Sequence, residues 1–510
     1  DGVGLGKTHM ASEIIKDYVN NRQKSLILCP AAVKSTWENH LERNSIQSKV
    51  ISYQAFANHI NWEETKGKEG SKHLNLNSDD YAFLVLDEAH NYRNPEAPTL
   101  AKTLDKFLLG KRRDILELTA TPVNNSLWDL HCVLRYFLKQ DSALIDIGIK
   151  SIKDKFQLAT DINPFDLNPD ILYPIIDATT VKRPRRFIRK YYPKDTIPDD
   201  EGKPRPINFA KPIPQTLKYE FNQYLREFVE KFEDALMPEP PNEPLLKLAR
   251  YKTELFIKNK TKAEKEEDER KCNSVDGLIR TSLLKRLESS VHSFRKSIQR
   301  MIHQHEIFLE AIKKERVIST EFFREYDNDD DNLLDSIEEF MEEENASNYR
   351  IKELKGLIQN DLNILKEFEE FTSKVNIDND DKLIKLKNEL INIVKEAEKD
   401  APPVKDEIKN YRKVLVFSYF KDTVHWIRDY LNKEFKKNKD LEIYKDRFDV
   451  IAGNETLSGK NKEDVIHGFA PESTKSPTKD NLCDLIICSD VLAEGLNLHQ
   501  CRNIINYDLP

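Results

Sequence analysis

Short apolar runs alternate with helix-like stretches at both ends of this 510-residue chain, and this alternation constrains the fold most strongly. In the first part, the predicted strands are residues 25–29, 81–86 and 114–118. In the last part, they are residues 413–417, 448–451, 484–488 and 504–507. Strands that alternate with helices predict parallel α/β sheets, in which ligands bind beyond the carboxyl ends of the strands.

The middle of the chain has a different pattern, in which strand signals fade and Lys and Glu dominate. Apolar residues recur there at steps of three and four in two series, and each series predicts one side of a single helix that packs against a partner helix. One series comprises Leu284, Leu287, Val291, Phe294, Ile298 and Met301, and a second comprises Ile351, Leu354, Ile358, Leu365 and Phe368. The predicted division is an α/β part over residues 1–150, a helical insertion over 151–405 and a second α/β part over 406–510.

Composition narrows the classes of function. No apolar run reaches the ~20 residues that a membrane-spanning helix needs, so no membrane partner is expected. Because the net charge is −8, any surface for nucleic acid must be a local basic cluster. The cysteines form no CxxC pair, which favours a reduced, cytoplasmic compartment. A metal site built from Cys483, Cys488 and Cys501 stays open as an alternative to buried thiols, although the usual zinc spacings are missing.

A glycine-rich run precedes the first predicted helix and consists of Gly4, Leu5, Gly6, Lys7 and Thr8. Glycines let backbone N–H groups approach phosphate oxygens, and the helix that follows offers its N-terminal dipole to the same anion. Lys7 could then reach the β- and γ-phosphates of ATP, while the Thr8 hydroxyl could bind Mg²⁺. A Gly-rich turn before a helix is the alternative interpretation.

Two adjacent carboxylates, Asp87 and Glu88, follow the second predicted strand. Asp87 is suited to hold Mg²⁺, directly or through water. Glu88 is suited to orient and deprotonate the attacking water, and with Lys7 these are the catalytic candidates. A surface turn is the alternative. The hydroxyls that follow the next strand could hydrogen-bond toward this pair, so the coupling candidates are His90, Thr119 and Thr121.

Together these residues resemble the superfamily-two helicases, and more closely the Swi/Snf-type ATPases. The family's loop reads D-E-x-G-L-G-K-T, which residues 1–8 match except that Gly2 replaces the acid. Thr121–Asn125 is similar to its T-P-x-x-N, and Phe417–Phe420 to its F-S-Q-F, with Tyr419 in place of the glutamine. Further similar segments are Leu28–Pro30 with Trp37, Ser52–Gln54, Ser489–Leu498 and Asn506–Pro510.

The resemblance implies two RecA-like parallel-sheet lobes separated by the helical insertion, with ATP and Mg²⁺ between them and nucleic acid across their top. The family's fifth motif implies coupling roles for Gly495 and Asn497 and a nucleic-acid contact for Ser489. The length of the insertion and the form of the third motif imply a bacterial member. The chain is expected to begin inside the first lobe and to end before the arginines of the sixth motif, so these residues alone should hydrolyse ATP barely.

A basic cluster occupies residues 182–190, with six cations in nine residues. It resembles an arginine-rich segment of the same family, and Arg185 and Arg186 are its candidates for nucleic-acid contact. A solvated face beside a linker is the alternative. The expected partner is double-stranded DNA, with nuclease, defence or repair proteins as further candidates.

Three functions stay open. An ATP-dependent DNA translocase or remodeller is expected first, because family members usually translocate on double-stranded DNA without unwinding it. A strand-separating helicase would need a wedge element that the sequence does not show. A nucleotide-gated scaffold would clamp DNA or a protein without sustained turnover. Retention of both Asp87 and Glu88 argues against the scaffold, since a pure switch could lose the glutamate.

Overall fold

A computed structural model of the chain describes residues 2, 4–60, 76–95, 100–109, 112–163, 166–198, 203–221, 223–238, 242–319, 342–404, 407–453, 455–474, 476–478, 480–489 and 498–508. They form two compact units, Asp1–Pro214 and Gln215–Pro510. The predicted domain boundaries near residues 150 and 405 stay predictions, because compactness alone does not locate the limits of folding domains.

The first unit is built on a four-stranded sheet in the order β2-β1-β3-β4, and every neighbouring pair is parallel. Its strands are β1 (Lys24–Cys29), β2 (Lys49–Ser52), β3 (Tyr81–Asp87) and β4 (Asp114–Leu118). Helix α1 (Lys7–Asn20) precedes β1, and the helices between the strands are α2 (Lys34–Arg43), α3 (Tyr53–Ile60) and α4 (Ala101–Leu108). Both faces of the sheet carry an apolar core cluster, which explains why β1 and β3 are apolar along nearly their whole length.

A further group of helices and a hairpin follows β4 in the first unit. They are α5 (Leu127–Leu138), α6 (Ile152–Asp161), α7 (Tyr173–Thr179), α8 (Arg185–Tyr191) and an antiparallel hairpin of β5 (Thr196–Pro198) and β6 (Pro204–Pro206). Helix α5 starts at a capping box formed by Ser126 and Asp129. Its apolar face packs with α6 and α7 in a small separate core.

The second unit begins with helices, as the sequence predicts. They are α9 (Gln223–Leu236), α10 (Lys262–Ser289), α11 (Val291–Lys313), α12 (Ile351–Ser373) and α13 (Asp381–Asp400), with an antiparallel hairpin of β7 (Arg316–Ser319) and β8 (Glu342–Asn345) after α11. Helices α9 to α12 share one apolar core. The second predicted apolar series lies within α12, where Leu354, Ile358, Leu365 and Phe368 are buried.

The first apolar series does not lie on one continuous helix, so that part of the interpretation is wrong. Ser290 is extended, with φ −160° and ψ 149°, and it separates α10 from α11. Its hydroxyl accepts a hydrogen bond from the Ser293 N–H at 3.0 Å, which caps α11. Serine favours such a cap over a helix interior, and the apolar spacing conceals this break.

The rest of the second unit is a five-stranded sheet in the order β11-β10-β12-β9-β13. Its strands are β9 (Val414–Phe417), β10 (Phe448–Ala452), β11 (Glu455–Thr456), β12 (Leu485–Cys488) and β13 (Asn503–Asn506), and the helices are α14 (Glu407–Arg412), α15 (Lys421–Lys437) and α16 (Lys462–Phe469). All neighbouring pairs are parallel except β10 with β11. Leu383, Leu386 and Leu390 of α13 lie in the same core cluster as strands of this sheet.

Two further observations concern the described residues alone. None of their helices has the length and apolarity to cross a bilayer. All six cysteines are free, and no group of three or more His, Cys, Asp or Glu in the described ranges could hold a metal ion. Cys483, Cys488 and Cys501 therefore do not form the metal site considered as an alternative.

Candidate nucleotide site

The predicted phosphate loop runs into the first turn of α1. Gly4 and Gly6 have positive φ values of 76° and 79°, a region that favours glycine. Lys7 and Thr8 form the first turn of α1, which carries no acidic residue. A Cβ added at either glycine would meet no described atom within 4 Å, so backbone conformation rather than crowding selects glycine at both positions.

Helix α1 is fixed against the sheet by its buried side. Ala11 and Ile15 share a core cluster with Val85 of β3 and Leu118 of β4. The Ser12 hydroxyl donates to the Thr8 carbonyl at 2.8 Å. The start of α1 thus sits over the sheet whose strands β3 and β4 end in the other candidate residues.

Asp87 is positioned by two aromatic side chains. The Trp37 indole Nε1–H donates to Asp87 Oδ2 at 2.7 Å, and the Tyr53 hydroxyl donates to the Asp87 carbonyl. The Glu88 N–H donates to Asp87 Oδ1 at 3.1 Å. Asp87 is 8% exposed and Trp37 is 1% exposed. The predicted site omits both aromatic residues, although each lies in a segment that matches a family motif.

Glu88 connects to the end of the next strand through a histidine. Glu88 Oε2 lies 3.5 Å from His90 Nδ1, which lies 3.1 Å from Thr119 Oγ1. The same hydroxyl accepts a hydrogen bond from the Thr121 N–H at 3.1 Å. The structure thus joins the coupling candidates of this unit to the acidic pair, while their roles in catalysis stay predictions. Glu88 itself is left-handed, with φ 54° and ψ 51°.

Burial keeps two neighbours of Asp87 protonated. It raises the pKa of the Cys29 thiol to about 12, and the Asp87 charge adds to that rise. Burial also raises the pKa of Tyr53 well above its usual range. Cys29 is therefore a neutral strand thiol rather than a nucleophile, and the negative charge at this edge comes from the two carboxylates.

The donor set fits Mg²⁺ bound together with a nucleotide. Asp87 places a carboxylate at the end of β3, and a carboxylate offers oxygen atoms as ligands. Mg²⁺ prefers oxygen ligands and is usually bound through one or two carboxylates plus phosphate oxygens. Asp87 and the Thr8 hydroxyl are the residues that would hold it.

In the second unit, Asp508 joins the ends of β9 and β13. Its Oδ2 accepts hydrogen bonds from the Ser418 hydroxyl at 2.9 Å and the Tyr419 N–H at 2.6 Å. Burial raises the pKa of Asp508. The predicted site omits Asp508, although it follows the last strand. Ser489 lies at the end of β12, is buried, and accepts from the Gly453 N–H at 3.4 Å. The predicted coupling residues Gly495 and Asn497 lie outside the described residues.

The basic cluster forms α8 and the turn before it. The Arg183 carbonyl accepts from the Gly2 N–H at 3.5 Å, and the Arg183 guanidinium contacts the Met10 sulfur of α1. Arg185 and Arg189 lie over the Phe209 ring at 5.6 and 5.5 Å. Arg186 is exposed. The cluster is therefore partly committed to local packing, and its first residues touch the phosphate loop and α1.

A glycine loop before a helix, on a parallel sheet with paired carboxylates at a strand end, defines the class of phosphate-loop nucleotide-binding proteins. Residues 2–124 match the family described as "Type III restriction enzyme, res subunit". Residues 390–510 match the family described as "Helicase conserved C-terminal domain". The two α/β sheets accordingly have the organisation of RecA-like lobes, and the two segments that contain them are similar to helicase-type domains.

Several known proteins are similar to parts of the chain. "Chromodomain-helicase-DNA-binding protein 1-like" of Danio rerio is 26% identical over 38% of this chain and 20% of its own length. "Uncharacterized ATP-dependent helicase YqhH" of Bacillus subtilis is 28% identical over 26% of this chain and 24% of its own length. "DNA repair protein RAD5" of Cryptococcus neoformans is 25% identical over 22% and 12%. These matches thus span a quarter or less of each of these relatives.

Among solved structures, the helicase domain of Pyrococcus furiosus Hef matches 100% of this chain and 85% of its own, at 12% identity and a TM-score of 0.35. The fold stands on the two parallel sheets and the family matches rather than on this likeness.

Proposed function

We propose that this chain carries the core of an ATP-dependent motor that translocates on, or remodels complexes of, double-stranded DNA. The observation that carries the proposal is the chain of close polar contacts from Asp87 and Glu88 through His90 to Thr119. This path links the carboxylates suited to phosphoryl chemistry to the end of a neighbouring strand. A motor needs such a link, because hydrolysis must change the conformation of the protein.

Each candidate residue of the first unit has a distinct chemical task in this proposal. Lys7 and the N–H groups of the loop bind phosphate oxygens, and Mg²⁺ when bound stabilises charge on the transferred phosphoryl group. Trp37 and Tyr53 hold Asp87 in the orientation that the ion requires. Glu88 orients the attacking water and accepts its proton. His90 Nδ1 lies 3.5 Å from the Glu88 carboxylate, so a change in the position or charge of Glu88 during hydrolysis shifts His90 and its contact with Thr119.

The choice of DNA rests on two supports. The names of two relatives, the Danio rerio and Cryptococcus neoformans proteins, refer to DNA. Within this chain, the basic cluster of residues 182–190 supplies cations for phosphates, and Arg183 connects that cluster to the loop and α1. Arg185, Arg186 and Ser489 remain the proposed contacts. The free cysteines suit the cytoplasm, which we propose as the compartment.

Glu88→Gln in the protein is the decisive test. The amide keeps the size of the side chain but cannot accept the proton from water, so ATP turnover should fall at least about a hundredfold. Binding of a fluorescent ATP analogue should change less than about threefold, since Glu88 contributes little to ground-state affinity. Glu42→Gln, an exposed substitution on α2, is the matched control and should behave as the wild type.

The same proteins separate the competing functions. If Glu88→Gln keeps the DNA-dependent function intact, the chain is a nucleotide-gated scaffold and the motor proposal fails. Displacement of an annealed strand by the wild type, but not by Glu88→Gln, would instead establish a strand-separating helicase. ATP-driven displacement of a bound protein from duplex DNA, with the duplex left intact, is the result that the proposal expects.

A further inference from the structure

Lys382 occupies an unusual position at the start of α13. Its Nζ donates to the carbonyls of Glu288 at 2.6 Å and Ser289 at 3.0 Å. The same Nζ lies 3.6 Å from Asp508 Oδ1, and the Lys382 and Asp508 side chains are only 14% and 11% exposed. A single ammonium group therefore joins the end of one helix to a carboxylate at the end of the second sheet.

The helix on one side of this ammonium is α10, the longest of the described helices. Glu288 and Ser289 form its last turn, where carbonyls lack partners within the helix and carry partial negative charge. A cation placed there satisfies two of these carbonyls at once. The end of α10 is thus attached to Lys382 through two hydrogen bonds.

The carboxylate on the other side fixes the loop after β9. Asp508 holds the Ser418 hydroxyl and the Tyr419 N–H through one oxygen, while its other oxygen faces Lys382. These residues lie at the carboxyl ends of parallel strands, where α/β proteins bind ligands. A change in the position of Lys382 therefore alters the loop of Ser418 and Tyr419 through one shared carboxylate.

The junction between α10 and α11 is also fixed to α15, which starts just after this loop. The hydroxyls of Ser289 and Ser290 each lie 2.7 Å from Thr423 Oγ1. The His292 ring stacks on Trp426 with centroids 4.3 Å apart and planes 6° apart. Buried hydroxyl pairs and a stacked ring pair make this a rigid contact rather than a sliding one.

We propose that Lys382 is a positioning residue that couples the helical insertion to the strand-end loop of the second lobe, so that the position of α10 sets the rate of ATP turnover. This inference rests on the proposed function. Removing the ammonium would leave the Asp508 carboxylate buried without its cation and would release the end of α10. Both changes loosen the Ser418–Tyr419 loop without touching the nucleotide.

Lys382→Met tests the inference, because methionine keeps the length of the side chain and removes only the charge and the donors. We expect an about tenfold lower kcat for ATP in the presence of duplex DNA, with KM changed less than about twofold. Lys382→Arg should recover most of the rate, since it restores a cation beside Asp508. Lys399→Met, an exposed position on the same helix, is the matched control.

A double-substitution cycle then shows whether Lys382 acts through Asp508. If it does, Asp508→Asn lowers kcat to a similar extent, and the combination is no slower than either change alone. Fully additive losses overturn the inference. A wild-type kcat per folded molecule in Lys382→Met, with only a lower melting temperature, also overturns it, since the lysine is then purely structural.

Hydrogen exchange provides a test that does not need ATP turnover. In Lys382→Met, amides of residues 418–420 and of residues 288–293 should exchange faster together, by about tenfold or more. If the wild type turns over ATP no faster than Glu88→Gln, the proposed function fails. Hydrogen exchange then still shows whether Lys382 couples α10 to the loop of Ser418 and Tyr419. Unchanged exchange at residues 418–420 overturns the coupling whatever the activity.

Discussion

The helical core of the second unit contains two buried ionisable groups whose pH responses oppose each other. His305 on α11 is fully buried, and burial together with the nearby Arg250 charge lowers its pKa to about 3. Asp361 on α12 is also fully buried, and burial raises its pKa to about 6 although two backbone N–H groups oppose the rise. We predict that replacing His305 reverses the loss of stability that acid causes in the helices α9 to α12. Replacing Asp361 should make that loss larger.

The direction of each pH effect depends on whether the unfolded or the native state binds the proton at the higher pH. Below pH 6.5, His305 is protonated in the unfolded chain but stays neutral in the native protein. The free energy of unfolding therefore decreases as the pH is lowered, by about 2 kcal/mol from pH 7 to pH 5. Asp361 behaves in the opposite way, because its native pKa of about 6 lies above the ordinary 3.8, so acidification stabilises the bundle by about 1 kcal/mol over the same interval. In the wild type the two effects partly cancel, and a net loss of about 1 kcal/mol remains.

Two neutral substitutions separate these contributions. His305→Gln should remove the destabilisation by acid that His305 causes. Its free energy of unfolding relative to the wild type should therefore rise by about 2 kcal/mol when the pH is lowered from 7 to 5. Asp361→Asn should fall relative to the wild type by about 1 kcal/mol. Other titrating groups cancel in these differences. Any constant cost, such as a lost bond to the Lys247 or Ala249 N–H, cancels as well.

Urea unfolding read by hydrogen exchange of peptides from α11 measures the free energy of unfolding of this bundle separately from the first unit. Unfolding free energies at pH 7 and pH 5 for the three proteins give the two differences directly. If His305→Gln responds to acid as the wild type does, within about 0.5 kcal/mol, His305 is not buried as the structure shows and the reasoning is refuted.

Two substitutions in the first lobe are also informative. Trp37→Phe removes the 2.7 Å donor to Asp87 and should slow ATP turnover about tenfold, since bonds to charged groups contribute about 1.5–3 kcal/mol; turnover within twofold of the wild type would show that the bond does not position Asp87. Gly6→Ala places a Cβ at φ 79°, so it should lower the free energy of unfolding, measured by thermal unfolding, by about 1–2 kcal/mol and should weaken ATP binding. Gly356→Ala, at an exposed position within α12, should instead raise the free energy of unfolding by about 1 kcal/mol, because alanine favours a helix. If Gly6→Ala and Gly356→Ala had the same effect on stability, the positive φ of Gly6 would not be the reason for glycine there.

Most strands of the two larger sheets were predictable because their apolar runs are short and end in recognisable breaks, whereas β2 and β11 were not predicted. Residues 114–118 are predicted and observed with the same limits, and β3 extends only one residue further, to Asp87. Parallel strands buried on both faces must be apolar throughout, which makes them easy to find. The two-lobe α/β fold with a helical region between the sheets is therefore confirmed.

The break between α10 and α11 was not predictable from apolar spacing. The series from Leu284 to Met301 continues in phase across Ser290, because both helices turn an apolar side to the same core. Only the cap geometry of Ser290 identifies the junction. A pattern of apolar positions reports which face is buried, and it does not report where the backbone stops being helical.

The acidic residues and glycines of the candidate site were predictable from the sequence. The side chains that position the acidic residues were not. Asp87 and Glu88 are adjacent in sequence, so their proximity is certain in any fold. Trp37 and Tyr53 reach Asp87 only because α2 and α3 return to the end of β3. The ion pair of Lys382 with Asp508 spans 126 positions in the sequence, and no local pattern encodes such a pair.

The left-handed backbone of Glu88 has a consequence for how this position can change during evolution. At φ 54° and ψ 51°, glycine, asparagine and aspartate fit easily, whereas valine or isoleucine would cost more than about 1–2 kcal/mol. A lineage that gives up turnover can therefore exchange the glutamate for one of those small residues without disturbing the end of β3. Descendants that keep nucleotide binding but lose hydrolysis should then carry Gly, Asn or Asp after the first aspartate, and their fold should remain intact.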